Sequence, residues 1–338
     1  MIFSLATFRR FNPFSRPSLR LLPAPAIAGT RAYTHSHGVA AKPLQHHEGP
    51  AHVYPFFEPV TETLQYVVVD PISKEGVVID PVLDYNPASG EVTTQTADGI
   101  LAFIKENGFK IRRILETHAH ADHLTASQFY KKYLPGEPLV CIGERIKQVQ
   151  KHFAPIYGFS DADMANNFDV LFKDGEKFKF GDVTCEVMHL PGHTPDHLGY
   201  LIGKRIFTGD SVFMPDVGSA RADFPGGNAK DLYASISRLL SLPDDFELFV
   251  GHDYPPPHRG HQYAATVASH RKENKHGREG ISEEEFIKLR EARDRTLAAP
   301  RLLHPSLQVN IRAGKLPPAD ADGRVRMKIP VRVPASME

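Results

Sequence analysis

From about residue 50 the chain is a series of short apolar runs separated by polar turns. LQYVVVD (64–70) and GVVIDP (76–81) are nearly continuous apolar runs joined by Pro71 to Glu75, which predicts a hairpin of buried strands. In TADGILAFIKENG (96–108) Ile100, Leu101 and Ile104 share a helical face, and Gly108 is placed to stop the helix. RRILETH (112–118) reads as a short strand. DHLTASQFYKKYLPG (122–136) predicts a helix with Leu124 and Phe129 inward, stopped by Pro135-Gly136. PLVCIG (138–143) is a strand and ERIKQVQKHF (144–153) another helix.

Strands then follow in series: EKFKFG, VTCEVMHL, HLGYLI and RIFTGD, the last ending at Asp210. The helix AKDLYASISRLLSL leads to a final strand, ELFVGHDY. This order predicts an α/β protein in which two mixed sheets pack face to face with helices outside, a four-layer αββα sandwich. Beyond Pro255 the pattern changes. EEEFIKLREARDRTL (283–297) is a charged amphipathic helix, and the rest is rich in proline. The expected division is residues 1–45 outside the fold, a catalytic domain over 46–300, and an extended tail, 301–338, packed on that domain.

The first residues have another character. Met1 to His47 contain no Asp or Glu, while Arg9, Arg10, Arg16, Arg20 and Arg31 are spread among Ser, Phe, Leu, Ala and Pro. A basic, hydroxylated, acid-poor leader is the composition of an organelle transit peptide, and RAYTHS resembles a matrix-protease site after Tyr33. The expectation is import into the mitochondrial matrix.

Bulk composition narrows the function classes. Of 338 residues, 41% are apolar and 24% charged, and the formal net charge is +0. Nothing global calls for nucleic acid or an anionic membrane, and no apolar run is long enough to cross a bilayer. Cys141 and Cys185 both sit in apolar runs, as buried thiols do. A homodimer is compatible with the sequence, which does not specify oligomeric state.

The chemistry lies where His and Asp end apolar strands. Four stretches qualify: LETHAHADH (His118, His120, Asp122, His123), VMHLPGHTPDH (His193), IFTGD (Asp210) and LFVGHD (His252). Loops at one sheet edge can gather such side chains around a point. Imidazole and carboxylate are ligands of borderline metals. In an extended chain His118 and His120 point the same way. Gly192 and Gly209 let the backbone turn tightly beside His193 and Asp210. Each part alone is weak, but the ordered set specifies a metal site. The other histidines, among them His152, His189, His197, His258, His261, His270 and His276, are expected at the surface or hydrogen-bonded in the core.

The set resembles the metallo-β-lactamase superfamily over roughly residues 50–300, and that family's sandwich suits the predicted strand order. SARADFPGGNAKDLYASISRLLSLPDD, VGHDYPP and PSLQVNIRAG further resemble the persulfide dioxygenase branch. That resemblance implies one Fe(II), held by His118, His193 and Asp210, and oxidation of glutathione persulfide by O2 to sulfite and glutathione. His120, Asp122, His123 and His252 would then surround the ligands. Asp122, His123 and Tyr254 are the candidates for catalytic work, and Arg221 and Tyr254 for substrate binding. Arg221 has a structural alternative, a salt bridge to Asp223, and Arg259 and Arg271 are weaker candidates.

Resemblance to the hydrolytic members implies instead two Zn ions. His118, His120 and His193 would hold one, Asp122, His123 and His252 the other, with Asp210 bridging. The activity would then be a glyoxalase II-like thioester hydrolysis. A non-enzymatic scaffold should have lost some of the seven residues. A nuclease would need a clamp for which the chain has no room.

Overall fold

The computed structural model describes residues 49–334. The transit-peptide expectation therefore lies outside the described residues.

The first sheet has the order β1-β2-β3-β6-β8-β9. Its strands are β1 (His52–Glu58), β2 (Thr63–Val69), β3 (Glu75–Ile79), β6 (Lys110–Leu115), β8 (Leu139–Gly143) and β9 (Val170–Phe172). β1 to β3 run antiparallel, and β3, β6, β8 and β9 are parallel. Pro55 is tolerated because β1 is an edge strand, where a missing donor costs the ladder least.

The second sheet has the order β10-β11-β12-β13-β14-β15, comprising β10 (Lys177–Phe180), β11 (Val183–His189), β12 (Leu198–Ile202), β13 (Arg205–Gly209), β14 (Glu247–Val250) and β15 (Ala264–Thr266). Its single parallel pair is β13 with β14. A small third sheet joins β5 (Glu91–Thr93), β4 (Val82–Asn86) and β7 (Leu124–Thr125).

The period of two in the strands sorts side chains between layers. Leu64, Tyr66 and Val68 of β2 meet Phe207, Tyr200 and Phe249 of the second sheet in the central core. Val67 and Val69 point the other way, toward α1 (Gln95–Glu106) and α2 (Ser127–Tyr133). Ile206 of β13 faces outward to α5 (Ala229–Leu240) and α6 (Val267–Glu273), while its neighbour Phe207 faces inward. The expected αββα sandwich is thus present, with α3 (Ile146–Ile156) and α4 (Asp161–Met164) flanking the parallel edge. Cys141 and Cys185 are free buried thiols in the central core.

Two expectations are corrected. The helix read from Asp122 begins at Ser127. Leu124 and Thr125 form β7 instead, pairing with Leu83 and Val82. The backbone before Ser127 is recruited into a sheet, which local periodicity does not report. The tail is also not wholly extended. After α7 (Glu283–Asp294), α8 (Leu303–Asn310) is a helix whose Leu307 packs with Ile142 and Val149, with Ile311 just beyond it in the same cluster. Pro305 falls in the helix's first turn, where a missing N–H costs nothing.

Candidate metal centre

The four stretches do converge at strand ends. His118 follows β6, His193 lies between β11 and β12, Asp210 follows β13 and His252 follows β14. His118, His193 and Asp210 are buried and offer ligand atoms that all lie within 4.8 Å of one another. A second group on the same scale is His120, Asp122 and His123. His252 joins the two: its Nε2 is 3.2 Å from Asp122 Oδ2 and 3.6 Å from Asp210 Oδ1.

Each histidine is held by its remote nitrogen. His193 Nδ1 lies 2.8 Å from the Arg221 carbonyl and His252 Nδ1 lies 3.0 Å from the Glu62 carbonyl. Both must therefore donate there, leaving Nε2 to face the centre. His118 Nδ1 is 3.0 Å from Thr117 Oγ1, and His120 Nε2 is 3.0 Å from Asp80 Oδ1. His123 Nδ1 is 3.2 Å from Asp122 Oδ2. Correspondingly His118 Nε2, His120 Nδ1, His123 Nε2 and Asp210 Oδ1 are buried without a hydrogen-bond partner. Orphaned buried acceptors on this scale are costly unless something binds them. Imidazole lone pairs and a carboxylate oxygen are the donors a divalent first-row metal takes, so the residues fit a metal ion.

The electrostatics divide the set. Burial and the neighbouring imidazoles push the His118 pKa well down, so it is neutral and able to ligate. Burial would also lower His120, but Asp80 and Glu116 outweigh it and raise its pKa well above the usual value. Burial would raise Asp122, yet His123 and His252 hold it far below the carboxylate range.

The backbone serves the same arrangement. Asp80 has φ 49°, a left-handed value that aims its carboxylate at Thr117, whose N–H and hydroxyl it accepts at 2.7 and 2.8 Å. Gly209 has φ 47°, and a Cβ there would meet Thr117 Oγ1 at 2.5 Å. Gly192 has φ 132° and lies against the backbone of Leu232. Both glycines are therefore required by close approach as well as by conformation.

The substrate candidates fare unevenly. The Tyr254 ring stacks on His252 with centroids 5.7 Å apart and is 44% exposed, so it stands at the mouth of the centre. Arg221 does not offer a free clamp. Its guanidinium is bidentate to Asp223, at 2.6 and 2.7 Å, and donates to the Ala298 carbonyl. Its contribution to the centre is its backbone carbonyl. Arg259 is spent on Asp216 and Asp253, and Arg271 on Asp244 and the carbonyls of Leu240 and Leu242.

Several supporting residues escaped the sequence reading. Asp80 ends the apolar run GVVIDP, so the strand-end rule itself applied to it. Glu116 shares the His120 environment, with Oε2 3.4 Å from Nε2. His197, expected at the surface or hydrogen-bonded in the core, is in the core: it stacks on His118 and accepts from the Asp210 N–H at 3.0 Å. Buried Arg290 and Asp294 of α7 bond to the Ser219 carbonyl and the Ala222 N–H, gripping the loop that presents the Arg221 carbonyl. Nothing local in the sequence marks these last two.

The metallo-beta-lactamase superfamily pattern matches residues 60–252, which hold all seven candidate ligands. The chain belongs to that superfamily. Among its relatives is a beta-lactamase hydrolase-like protein of Agrobacterium fabrum, 44% identical over 83% of this chain. The chain spans only 65% of that relative's length. Glyoxylase B2 of Dictyostelium discoideum is 43% identical, covering 82% of this chain and 96% of the relative. The human mitochondrial persulfide dioxygenase ETHE1 is 31% identical, covering 76% and 87%. The crystal structure of ETHE1 from Myxococcus xanthus superposes with a TM-score of 0.63 at 28% identity, covering 78% of this chain and 99% of that one. These likenesses support the ETHE1-like branch within a superfamily of metal-dependent enzymes.

Proposed function

We propose that this chain is a mononuclear non-haem Fe(II) persulfide dioxygenase that oxidises glutathione persulfide with O2 to sulfite and glutathione. The observation that carries the reading is the His118–His193–Asp210 group, two imidazoles and one carboxylate brought together from three strand ends. That donor set suits a facial site with open positions. Likeness to the persulfide dioxygenases supports it. Iron, when bound there, would supply the redox-active centre that lets O2 react with a sulfur anion.

The residues around the ligands divide the remaining work. Oxidation of RSSH by O2 with one water yields RSH, sulfite and two protons, so the site must accept protons. Asp122 Oδ2 lies 3.2 Å from both His123 Nδ1 and His252 Nε2, where a proton can be shared. The Asp122 side chain is 30% exposed, the most open of this acidic and imidazole set, and gives that proton a path outward. The Tyr254 phenol is protonated at neutral pH, and packing against His252 and Phe213 with the carboxylates of Asp210 and Asp122 pushes its pKa further up, so it can donate to a sulfur or oxygen at the mouth. His120, fixed on Asp80, keeps the floor rigid.

A second reading rests on a separate observation. The His120, Asp122 and His123 group is also gathered and includes orphaned nitrogens, as a binuclear thioester hydrolase acting on a hydroxyacylglutathione would need. The relatives named as hydrolase-like or as glyoxylase are the more identical ones. Metal content and oxygen uptake separate the readings. One iron per chain with O2 consumption on glutathione persulfide supports the dioxygenase. Two zinc ions, thioesterase activity and no O2 uptake would replace it. His120→Ala should keep iron under the first reading, whereas Asp210→Asn should lose it with the fold intact.

We also propose delivery to the mitochondrial matrix, on the composition of residues 1–45 alone. Bacterial relatives have no such compartment and lend this no support. A chain lacking residues 1–33 should keep activity in vitro and fail to enter mitochondria; unchanged delivery would end the proposal.

A further inference from the structure

The segment 116–123, which carries four candidate ligands, has no regular secondary structure of its own. Its backbone groups need partners from elsewhere, because they are buried. One side chain supplies partners for two of them and for the Thr125 N–H just beyond. Asn310, the last residue of α8, accepts from the Thr125 N–H through Oδ1 at 2.9 Å. Its Nδ2 donates to the carbonyls of His120 and His123, both at 2.8 Å. An amide N–H on one side and two carbonyls on the other fix the orientation of the carboxamide and exhaust its donors. The two carbonyls belong to residues whose side chains face the metal centre.

Asn310 is itself firmly placed. It is 3% exposed, and α8 is tied down by Gln150 and Gln128, which donate to the carbonyls of Ile311 and Ala313. Asn310 also lies beyond residue 252, where the superfamily match ends.

We infer that Asn310 is a positioning residue of the metal centre, and that the C-terminal segment is a working part of the site rather than a covering. No other side chain of similar size matches the pattern. Asp keeps an acceptor for Thr125 but sets an anionic oxygen against two carbonyls. Ala leaves all three backbone groups unpaired, and the loop then takes several arrangements in which the ligand atoms no longer converge. The inference requires that the 118–123 segment hold a metal, but not that the metal be iron or the reaction a dioxygenation.

The test uses the full chain, stripped of metal and titrated with Co(II) against a competing chelator. Visible absorption reports the ligand field and far-ultraviolet dichroism of the metal-free protein reports folding. Asn310→Ala and Asn310→Asp should stay folded, bind Co(II) about tenfold to a hundredfold more weakly, and show altered bands. Gln308→Ala is the control. Gln308 is on the same helix but donates to the carbonyls of His304 and Lys328, away from the ligand loop, and its loss should leave affinity and spectrum unchanged. If Asn310→Ala does not fold, Asn310→Asp alone carries the test. Wild-type affinity and spectrum in the Asn310 variants would overturn the inference. So would an equal loss in Gln308→Ala, since affinity would then merely follow the integrity of α8. A wild-type chain that binds no Co(II) would overturn the metal-centre reading and this inference with it.

Discussion

His120 Nε2 lies 3.0 Å from Asp80 Oδ1, and both side chains are almost completely buried. The pair joins the end of β3 to the loop after β6 and decides which nitrogen of His120 carries the proton. With Nε2 donating to the carboxylate, Nδ1 is the nitrogen that faces the centre, where a metal ion would displace the second proton that Asp80 and Glu116 favour.

Asp80→Asn should weaken metal binding, because Asp80 also fixes Thr117, whose hydroxyl holds Nδ1 of the ligand candidate His118. The carboxylate accepts from His120, from the Thr117 N–H and from the Thr117 hydroxyl, and an amide nitrogen would oppose one of these donors. A loss of about tenfold to a hundredfold in metal affinity is expected. Calorimetric titration with Zn(II) or Co(II) measures it, and wild-type affinity would mean that His118 does not depend on Asp80, through Thr117, for its orientation.

Gly209→Ala should damage both fold and centre. At φ 47° the new Cβ would sit 2.5 Å from Thr117 Oγ1 and 2.9 Å from His197 Nε2, next to Asp210. Overpacking of this kind costs about 1–3 kcal/mol, and the unfavourable φ adds to it. Denaturant unfolding should show a loss at the upper end of that range, with reduced metal occupancy in the folded fraction.

Arg221→Lys separates a structural arginine from a substrate clamp. Because the guanidinium is committed to Asp223 and the Ala298 carbonyl, the variant should lose about 1 kcal/mol of stability or less. KM for glutathione persulfide, the proposed substrate, should stay within about twofold, since no binding interaction with it is removed. A large rise in KM at unchanged stability would restore the clamp.

Stability should fall in mild acid through two histidines remote from the ligand set. Burial pushes His270 down to about 4, and burial with Arg290, Arg293 and Lys275 does the same for His276. Above the ordinary value of 6.5 both are neutral in the folded and unfolded chain, and their contribution is fully present. Between 6.5 and about 4 the unfolded chain binds protons that the folded chain does not. Folding free energy is then lost as pH falls, at a limiting slope of about 1.4 kcal/mol per pH unit for each group. Urea unfolding of the metal-free protein at pH 7, 6 and 5 measures the slope. His270→Gln should reduce it by about one proton's worth, and an unchanged slope would show that His270 stays protonable inside the fold.

The sequence by itself determined the sandwich and the candidate ligand set. Continuous apolar runs such as β2 and the helical face of Ile100, Leu101 and Ile104 are properties of near neighbours, and the candidate ligands stand where apolar runs stop. Tertiary structure decided what each polar group is for. It committed Arg221 to Asp223, took Leu124 and Thr125 into a sheet, and turned one nitrogen of each candidate imidazole onto a fixed partner. Glu62 and His252 are 190 residues apart, as are His120 and Asn310. Hydrophobic periodicity is written within a few residues of chain. A hydrogen-bond partner is chosen only when the layers close, and nothing near His120 in the sequence names Asp80 or Asn310.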